Sequence, residues 1–88
     1  MNYYLIALSS VTTAKRVEKA ASDYMIGCFV VHTPRAISKY GCSHSVKVKE
    51  KDVQSVVEIC RKMCLEIRGV FEEIRSGREI SYREVVQE

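Results

Sequence analysis

The chain has 88 residues, 47% hydrophobic and 28% charged, with four glycines and one proline, which predicts one small soluble domain. The formal charge of +3 is uneven: residues 1–49 carry seven basic and two acidic side chains, net +5, and residues 50–88 carry seven basic and nine acidic ones, net −2. This moderate charge disfavours nucleic acid as a partner, and no apolar run approaches the ~18 residues that span a membrane.

The first part of the chain predicts a strand, a helix and a second strand. The apolar run Tyr3–Leu8 is typical of a central strand. Ser9-Ser10 then offers capping hydroxyls to a helix whose apolar stripe ends near Tyr24. Cys28–His32 follows the break at Gly27 and is rich in β-branched residues, which favours a strand.

A long loop and an alternating segment come next. Residues 33–42 contain Pro34 and Gly41 and predict an exposed loop. Residues 43–49 alternate between two faces. One face carries His44, Val46 and Val48, and the solvent-facing side carries Ser45, Lys47 and Lys49. If the two flanking strands pair, the loop closes a hairpin and is longer than the usual two to five residues.

The second part predicts a helix, a strand and a short helical tail. Residues 50–64 carry an apolar stripe that includes Cys60 and Cys64, and residues 67–74 predict a fourth strand. The tail, residues 75–88, contains a capping-box pattern from Ser81 to Glu84, which predicts a helix from about residue 81.

Together these elements predict an α+β domain over residues 1–74 with the ferredoxin-like order βαββαβ. Two helices then cover one face of a four-stranded antiparallel sheet, and the tail stands outside it. The other face would display side chains such as Tyr3 or Tyr4, Phe29 or Val30, and Phe71 or Val70. Because exposed apolar patches mark interaction sites, we expect a homo-oligomer through this face.

Cysteine usage identifies the best candidate for a functional residue. The chain opens without a basic, cleavable leader, so we expect a cytoplasmic protein with reduced thiols. Cys28, Cys60 and Cys64 fall on predicted buried faces, where cysteine acts as a small hydrophobic residue. Cys42 falls at the end of the loop, beside Gly41.

The neighbours of Cys42 in the sequence are basic or imidazole side chains. Arg35 and Lys39 lie in the same loop, while His32 and His44 flank its base. Positive neighbours favour the nucleophilic thiolate. An incidental loop cysteine remains an alternative, as does a transition-metal site formed by His32, Cys42 and His44, although no dedicated metal-ligand spacing is present.

The segment Thr33-Pro-Arg-Ala-Ile-Ser-Lys-Tyr-Gly-Cys-Ser-His-Ser-Val-Lys-Val48 resembles the signature of a selenium/sulfur carrier-like family of small bacterial proteins. Its members show Thr or Val, Pro, Arg, a hydrophobic residue and Ser, then a Cys–Gly pair before a strand. Here the pair is reversed, as Gly41-Cys42. The resemblance covers about residues 2–73.

The resemblance implies that Cys42 carries a transferred sulfur or selenium atom, with Pro34, Arg35 and Ser38 shaping its loop. It implies a protein donor such as a cysteine desulfurase, an acceptor protein, and no cofactor or bound metal. This favours a carrier or binding protein over a turnover enzyme. The alternative is a non-catalytic oligomerisation or protein-interaction domain in which Cys42 is incidental.

Overall fold

The computed structural model describes residues 3–35, 37 and 44–85. These residues form five strands, two α-helices and one short 3-10 helix. Their bounds are β1 (Tyr3–Leu8), α1 (Val11–Asp23), β2 (Cys28–His32), β3 (His44–Lys49), the 3-10 helix (Glu50–Asp52), α2 (Val53–Lys62), β4 (Ile67–Ser76) and β5 (Glu79–Val85).

All five strands belong to one antiparallel sheet with the order β2-β3-β1-β4-β5. The central strand, β1, pairs with β3 on one side and β4 on the other. Both of its faces are covered, since Leu5 is 2% exposed and the next three residues are fully buried. A strand that is buried on both faces needs apolar side chains on both. This is why apolar and polar residues do not alternate along β1.

Both helices pack on one face of the sheet and form the main core with it. The predicted cap of α1 is confirmed, because the Ser10 hydroxyl accepts a hydrogen bond from the Thr13 N–H at 3.2 Å. The three- and four-residue spacing of apolar side chains places one stripe of each helix against the sheet. The buried helical residues are Ala14, Val17, Ala21, Val53, Val56, Val57, Ile59 and Cys60.

The end of α2 corrects the prediction for Cys64. The helix ends at Lys62, and the N–H of Leu65 returns to the carbonyl of Cys60 at 3.0 Å in a Schellman motif. Cys64 takes the left-handed conformation there, with φ of 57°, and its side chain is exposed rather than buried. Met25 does the same after α1, with φ of 61° and 95% exposure.

The α+β class is confirmed, but the four-stranded ferredoxin-like fold with a helical tail is wrong. The sheet has five strands, because β4 continues to Ser76 and β5 folds back against it through a tight turn. Gly77, with φ of 62°, supplies the left-handed position that this turn requires. A single helical turn is marginal by itself, whereas pairing with β4 satisfies the backbone of residues 79–85 and packs Tyr82 and Val85 on the sheet.

The second face of the sheet, opposite the helices, is also covered at its centre. Leu5, Ala7 and Phe71 form a small buried cluster there with Ile37, which comes from the segment between β2 and β3. Phe71 is only 3% exposed, so the prediction that this side chain is displayed on an open apolar face is wrong. Ser45, predicted to face solvent, is fully buried on the same side.

Beside this apolar cluster, the second face of the sheet carries charged side chains that pair with one another. The Glu73 carboxylate is 5% exposed and lies 3.3 Å from the Lys47 amine and 3.5 Å from the Arg75 guanidinium. The Lys47 amine also stands 4.7 Å from the centroid of the Tyr3 ring. A carboxylate removed from water needs such partners, because an unpaired buried charge costs several kcal/mol.

Candidate functional site

The β2–β3 hairpin determines where the candidate loop leaves the sheet. The two strands pair from Cys28 with Val48 to His32 with His44, so the predicted hairpin is confirmed and residues 33–43 form its connection. His44 also pairs with Leu8, the last residue of β1, and α1 begins three residues later at Val11. The loop therefore starts and ends at the end of the strands from which α1 follows.

The two histidines come together at the base of this loop, as their sequence positions predict. The centroids of the His32 and His44 rings are 4.7 Å apart, and the ring planes are tilted by 40°. His32 is exposed and His44 is half-buried. Imidazole rings act as general acids and bases in many proteins, so the pair brings two such groups to the base of the loop.

Hydrogen bonds fix the first residues of the loop. The hydroxyl oxygens of Thr33 and Ser45 are 2.8 Å apart, which ties the start of the loop to β3. The N–H of Ile37 donates to the carbonyl of Pro34 at 3.0 Å, closing a turn. Pro34 is the first residue of this turn and takes part through its carbonyl, so its missing N–H costs the turn no hydrogen bond. Arg35 lies inside the turn and is exposed.

Ile37 anchors this turn to the second face of the sheet, a role that the sequence analysis missed. Its side chain is 3% exposed and packs with Leu5, Ala7 and Phe71. The available signal was that Ile37 is the one large aliphatic side chain in the sequence of residues 33–42. The loop was predicted to be exposed, and for Ile37 this prediction is wrong. The Ile37 side chain therefore lies against the sheet rather than in solvent.

Four predicted site residues, Ser38, Lys39, Gly41 and Cys42, lie outside the described residues. Their roles stay predictions. The described part of the site is therefore its frame: the histidine pair, the Thr33–Ser45 hydrogen bond, the turn and the Ile37 anchor.

Two of the three described cysteines have environments that suppress thiolate chemistry. Burial raises the pKa of Cys28 to about 11, with Glu18, Cys60 and Asp52 adding to the effect. Burial likewise raises the pKa of Cys60 to about 11, so both thiols are protonated at neutral pH. Cys64 differs because it is exposed, which leaves its thiol accessible to reagents.

Two open grooves in the described structure lie away from this frame. One of about 460 Å³ runs between α2 and β5, with a mainly apolar lining that includes Val57, Leu65 and Val85. Another, of about 480 Å³, lies between the two helices near Tyr24 and Ile59. Neither is lined by a histidine or a cysteine.

Two searches of the described residues limit what else the site contains. Within 3–35, 37 and 44–85, no three His, Cys, Asp or Glu side chains are grouped so that they could hold a metal ion. This does not test the His32, Cys42 and His44 set, because Cys42 is outside those residues. None of the described helices has the length and apolar character needed to cross a membrane.

The fold and the framed loop define a small α+β domain whose histidine-flanked hairpin loop contains a cysteine in its sequence. The chain belongs to the family described as putative Se/S carrier protein-like, whose model matches residues 3–72. The match includes β1 to most of β4 and the whole segment between the two histidines. No curated protein and no solved structure matches the chain significantly.

Proposed function

We propose that this protein is a sulfur or selenium carrier that holds the transferred atom on Cys42. The observation that carries the proposal is the family match, because it spans the loop with Cys42 and the histidine pair at its base. In this proposal the protein acts in the cytoplasm as a carrier rather than a turnover enzyme. It needs neither cofactor nor metal.

The transfer step balances without an external oxidant or reductant. The Cys42 thiolate attacks the terminal sulfur of a donor persulfide, forming a new bond to that sulfur. The donor's own S–S bond breaks, and the donor leaves as a thiolate. The product is Cys42–S–SH, or Cys42–S–SeH when the donor carries a perselenide. An acceptor thiol then attacks the terminal atom in the same way and regenerates the Cys42 thiolate.

The surroundings of the loop support the thiolate that this step requires. Cys42 stands two residues before His44 in the sequence, so covalent geometry keeps their Cα atoms within about 7 Å. His44 and His32 can therefore accept the thiol proton and, once protonated, stabilise the negative sulfur. Arg35 and Lys39 add positive charge in the same segment. The first turn of α1, which begins at the same edge of the sheet, contains no acidic residue to oppose it.

The donor and acceptor are proteins in this proposal, with a cysteine desulfurase as the donor class. A carrier needs an accessible thiol and a docking surface more than a deep pocket. In this proposal the histidine-flanked loop serves as that docking surface, and the two grooves described above are lined by other residues. The roles of Pro34 and Ser38 are to shape the loop, and Gly41 gives close access to the neighbouring thiol.

The proposal is tested by intact-mass spectrometry after incubation with a cysteine desulfurase and cysteine, without reductant. The wild type should gain the mass of one sulfur atom, and this adduct should disappear on treatment with dithiothreitol. Cys42→Ser should gain nothing, whereas the matched control Cys64→Ser should load like the wild type. If loading survives in Cys42→Ser and is lost in Cys64→Ser, Cys64 carries the sulfur and the proposal for Cys42 is wrong.

Limited alkylation near neutral pH provides a second, donor-free test. Cys42 should label before Cys64, and Cys28 and Cys60 should label only on unfolding because their thiols are buried and protonated. Replacing both His32 and His44 by glutamine should slow the labelling of Cys42 without slowing that of Cys64. Equal rates for Cys42 and Cys64 would favour the non-catalytic interaction domain, in which the loop cysteine is incidental.

A further inference from the structure

Within the part of the chain that the structure describes, the outer edge of β5 is not paired with another strand. β5 is the last strand of the sheet, and five of its seven residues are exposed, including Ile80 at 48% exposure. A free edge presents unpaired N–H and C=O groups that can bind a further strand. At the opposite edge of the sheet, β2, one backbone group is already bound, since the N–H of Val30 donates to the Glu18 carboxylate at 3.3 Å.

The register with β4 determines which backbone groups of β5 face outward. Ser76 and Glu79 are opposed across the two-residue turn, and residues in that position form a hydrogen-bonded pair. Hydrogen-bonded and non-hydrogen-bonded pairs then alternate along the hairpin. Ser81 and Arg83 therefore direct their backbone groups at β4, while Ile80, Tyr82 and Glu84 direct theirs to the free edge.

The charges along this edge are complementary to those of a second copy of the same strand. If two β5 strands lie antiparallel with Ser81 on the two-fold axis, Glu79 opposes Arg83 and Arg78 opposes Glu84. Ile80 then opposes Tyr82, and these are residues whose backbone groups point outward. Moving the axis to Ile80 or Tyr82 loses both charge pairs. The sequence of the edge thus specifies one register for self-pairing.

These charges are accessible for such pairing in the single chain. Within the described part of the protein, Arg78, Glu79 and Glu84 make no ion pair. Arg83 pairs with the Glu72 carboxylate, but its side chain remains 69% exposed and can reach a second carboxylate. Opposite charges at directly opposed positions stabilise an antiparallel pair, and like charges destabilise it.

We infer that β5 is a homodimer interface, in which two copies pair through this edge and join their sheets into one of ten strands. The interface is isologous, as two-fold symmetry requires, so every contact away from the axis occurs twice. The partner of this surface is a second copy of the chain, since the self-complementary register needs no other sequence. The inference stands on the strand alone and is independent of whether Cys42 carries sulfur.

Charge reversal tests the register through complementation. Arg78→Glu and Glu84→Arg each place like charges at both ends of the pairing, so each variant by itself should dimerise at least about tenfold more weakly than the wild type. Mixing the two variants should restore the dimer, because every opposed position then carries opposite charges. Sedimentation velocity over a concentration series to the high micromolar range measures both effects, and circular dichroism establishes that each variant is folded.

Disulfide trapping tests the position of the axis. In a background with Cys42→Ser and Cys64→Ser, Ser81→Cys places two thiols at directly opposed positions, within the reach of a disulfide. Glu79→Cys is the matched control, because its two copies would be about 13 Å apart along the strands. Mild oxidation should link the Ser81→Cys variant at least about tenfold faster than the Glu79→Cys variant.

Two results would overturn the inference. One is a wild type that stays monomeric at high micromolar concentration, and the other is a Ser81→Cys variant that links no faster than Glu79→Cys. A dimer that survives both charge reversals would equally place the interface elsewhere. Since sulfur loading of Cys42 is measured separately, none of these results depends on the carrier chemistry.

Discussion

Replacing Ile37 by alanine tests whether the loop belongs to the folded core. The side chain is 3% exposed and shares a buried cluster with Leu5, Ala7 and Phe71. The change removes three carbon atoms from this cluster, at about 0.8 kcal/mol for each buried methylene, together with a cavity contribution. The cluster is small and the loop can settle into part of the space, so we expect a loss of about 2–3 kcal/mol in the free energy of unfolding.

Urea denaturation followed by circular dichroism measures this loss, which for a domain of this size corresponds to a fall in Tm of about 10–20 °C. Ile37→Val should recover most of the stability because it retains the branched side chain. Ile80→Ala, measured at low protein concentration, is the exposed control and should cost less than about 1 kcal/mol. If Ile37→Ala costs no more than Ile80→Ala, the loop is not anchored as described.

Three further predictions concern the backbone and the buried thiols. Met25→Gly should raise the free energy of unfolding by about 0.5–1 kcal/mol, because φ of 61° strains a methionine and not a glycine. Urea denaturation measures this, and a lower free energy of unfolding would contradict it. Gly69→Ala should destabilise the fold by at least about 1 kcal/mol in the same assay, because its Cβ would lie 2.8 Å from the Phe71 ring; a neutral result would mean that the ring moves freely. The two buried thiols, Cys28 and Cys60, should leave stability unchanged below about pH 8 and lower it between pH 9 and 11 by up to about 1.4 kcal/mol per pH unit each, because the folded state retains protons that the unfolded thiols release. Urea denaturation at pH 8 and pH 10.5 measures this slope, and Cys60→Ala should reduce it.

The candidate site was partly predictable because its frame depends on local pairing. Once residues 28–32 and 44–49 are recognised as neighbouring strands, His32 and His44 must meet at the end of the hairpin, and the ring distance of 4.7 Å confirms this. The motif beginning at Thr33 likewise identified the family. The burial of Ile37 was not predictable in the same way, because it depends on the shape of a sheet face built from β1 and β4.

Hydrophobic periodicity in the sequence determined both helices, the first four strands and the α+β class, since the apolar spacing within each segment is a local property. Tertiary structure alone decided three other features. Residues 79–85 form a strand because the free edge of β4 satisfies their backbone better than one isolated helical turn could. Cys64 is exposed because α2 ends two residues earlier than its apolar stripe suggests. Ile37 is buried because the second face of the sheet offers it apolar neighbours that are distant in sequence. In each case the deciding contact joins segments that no local pattern connects.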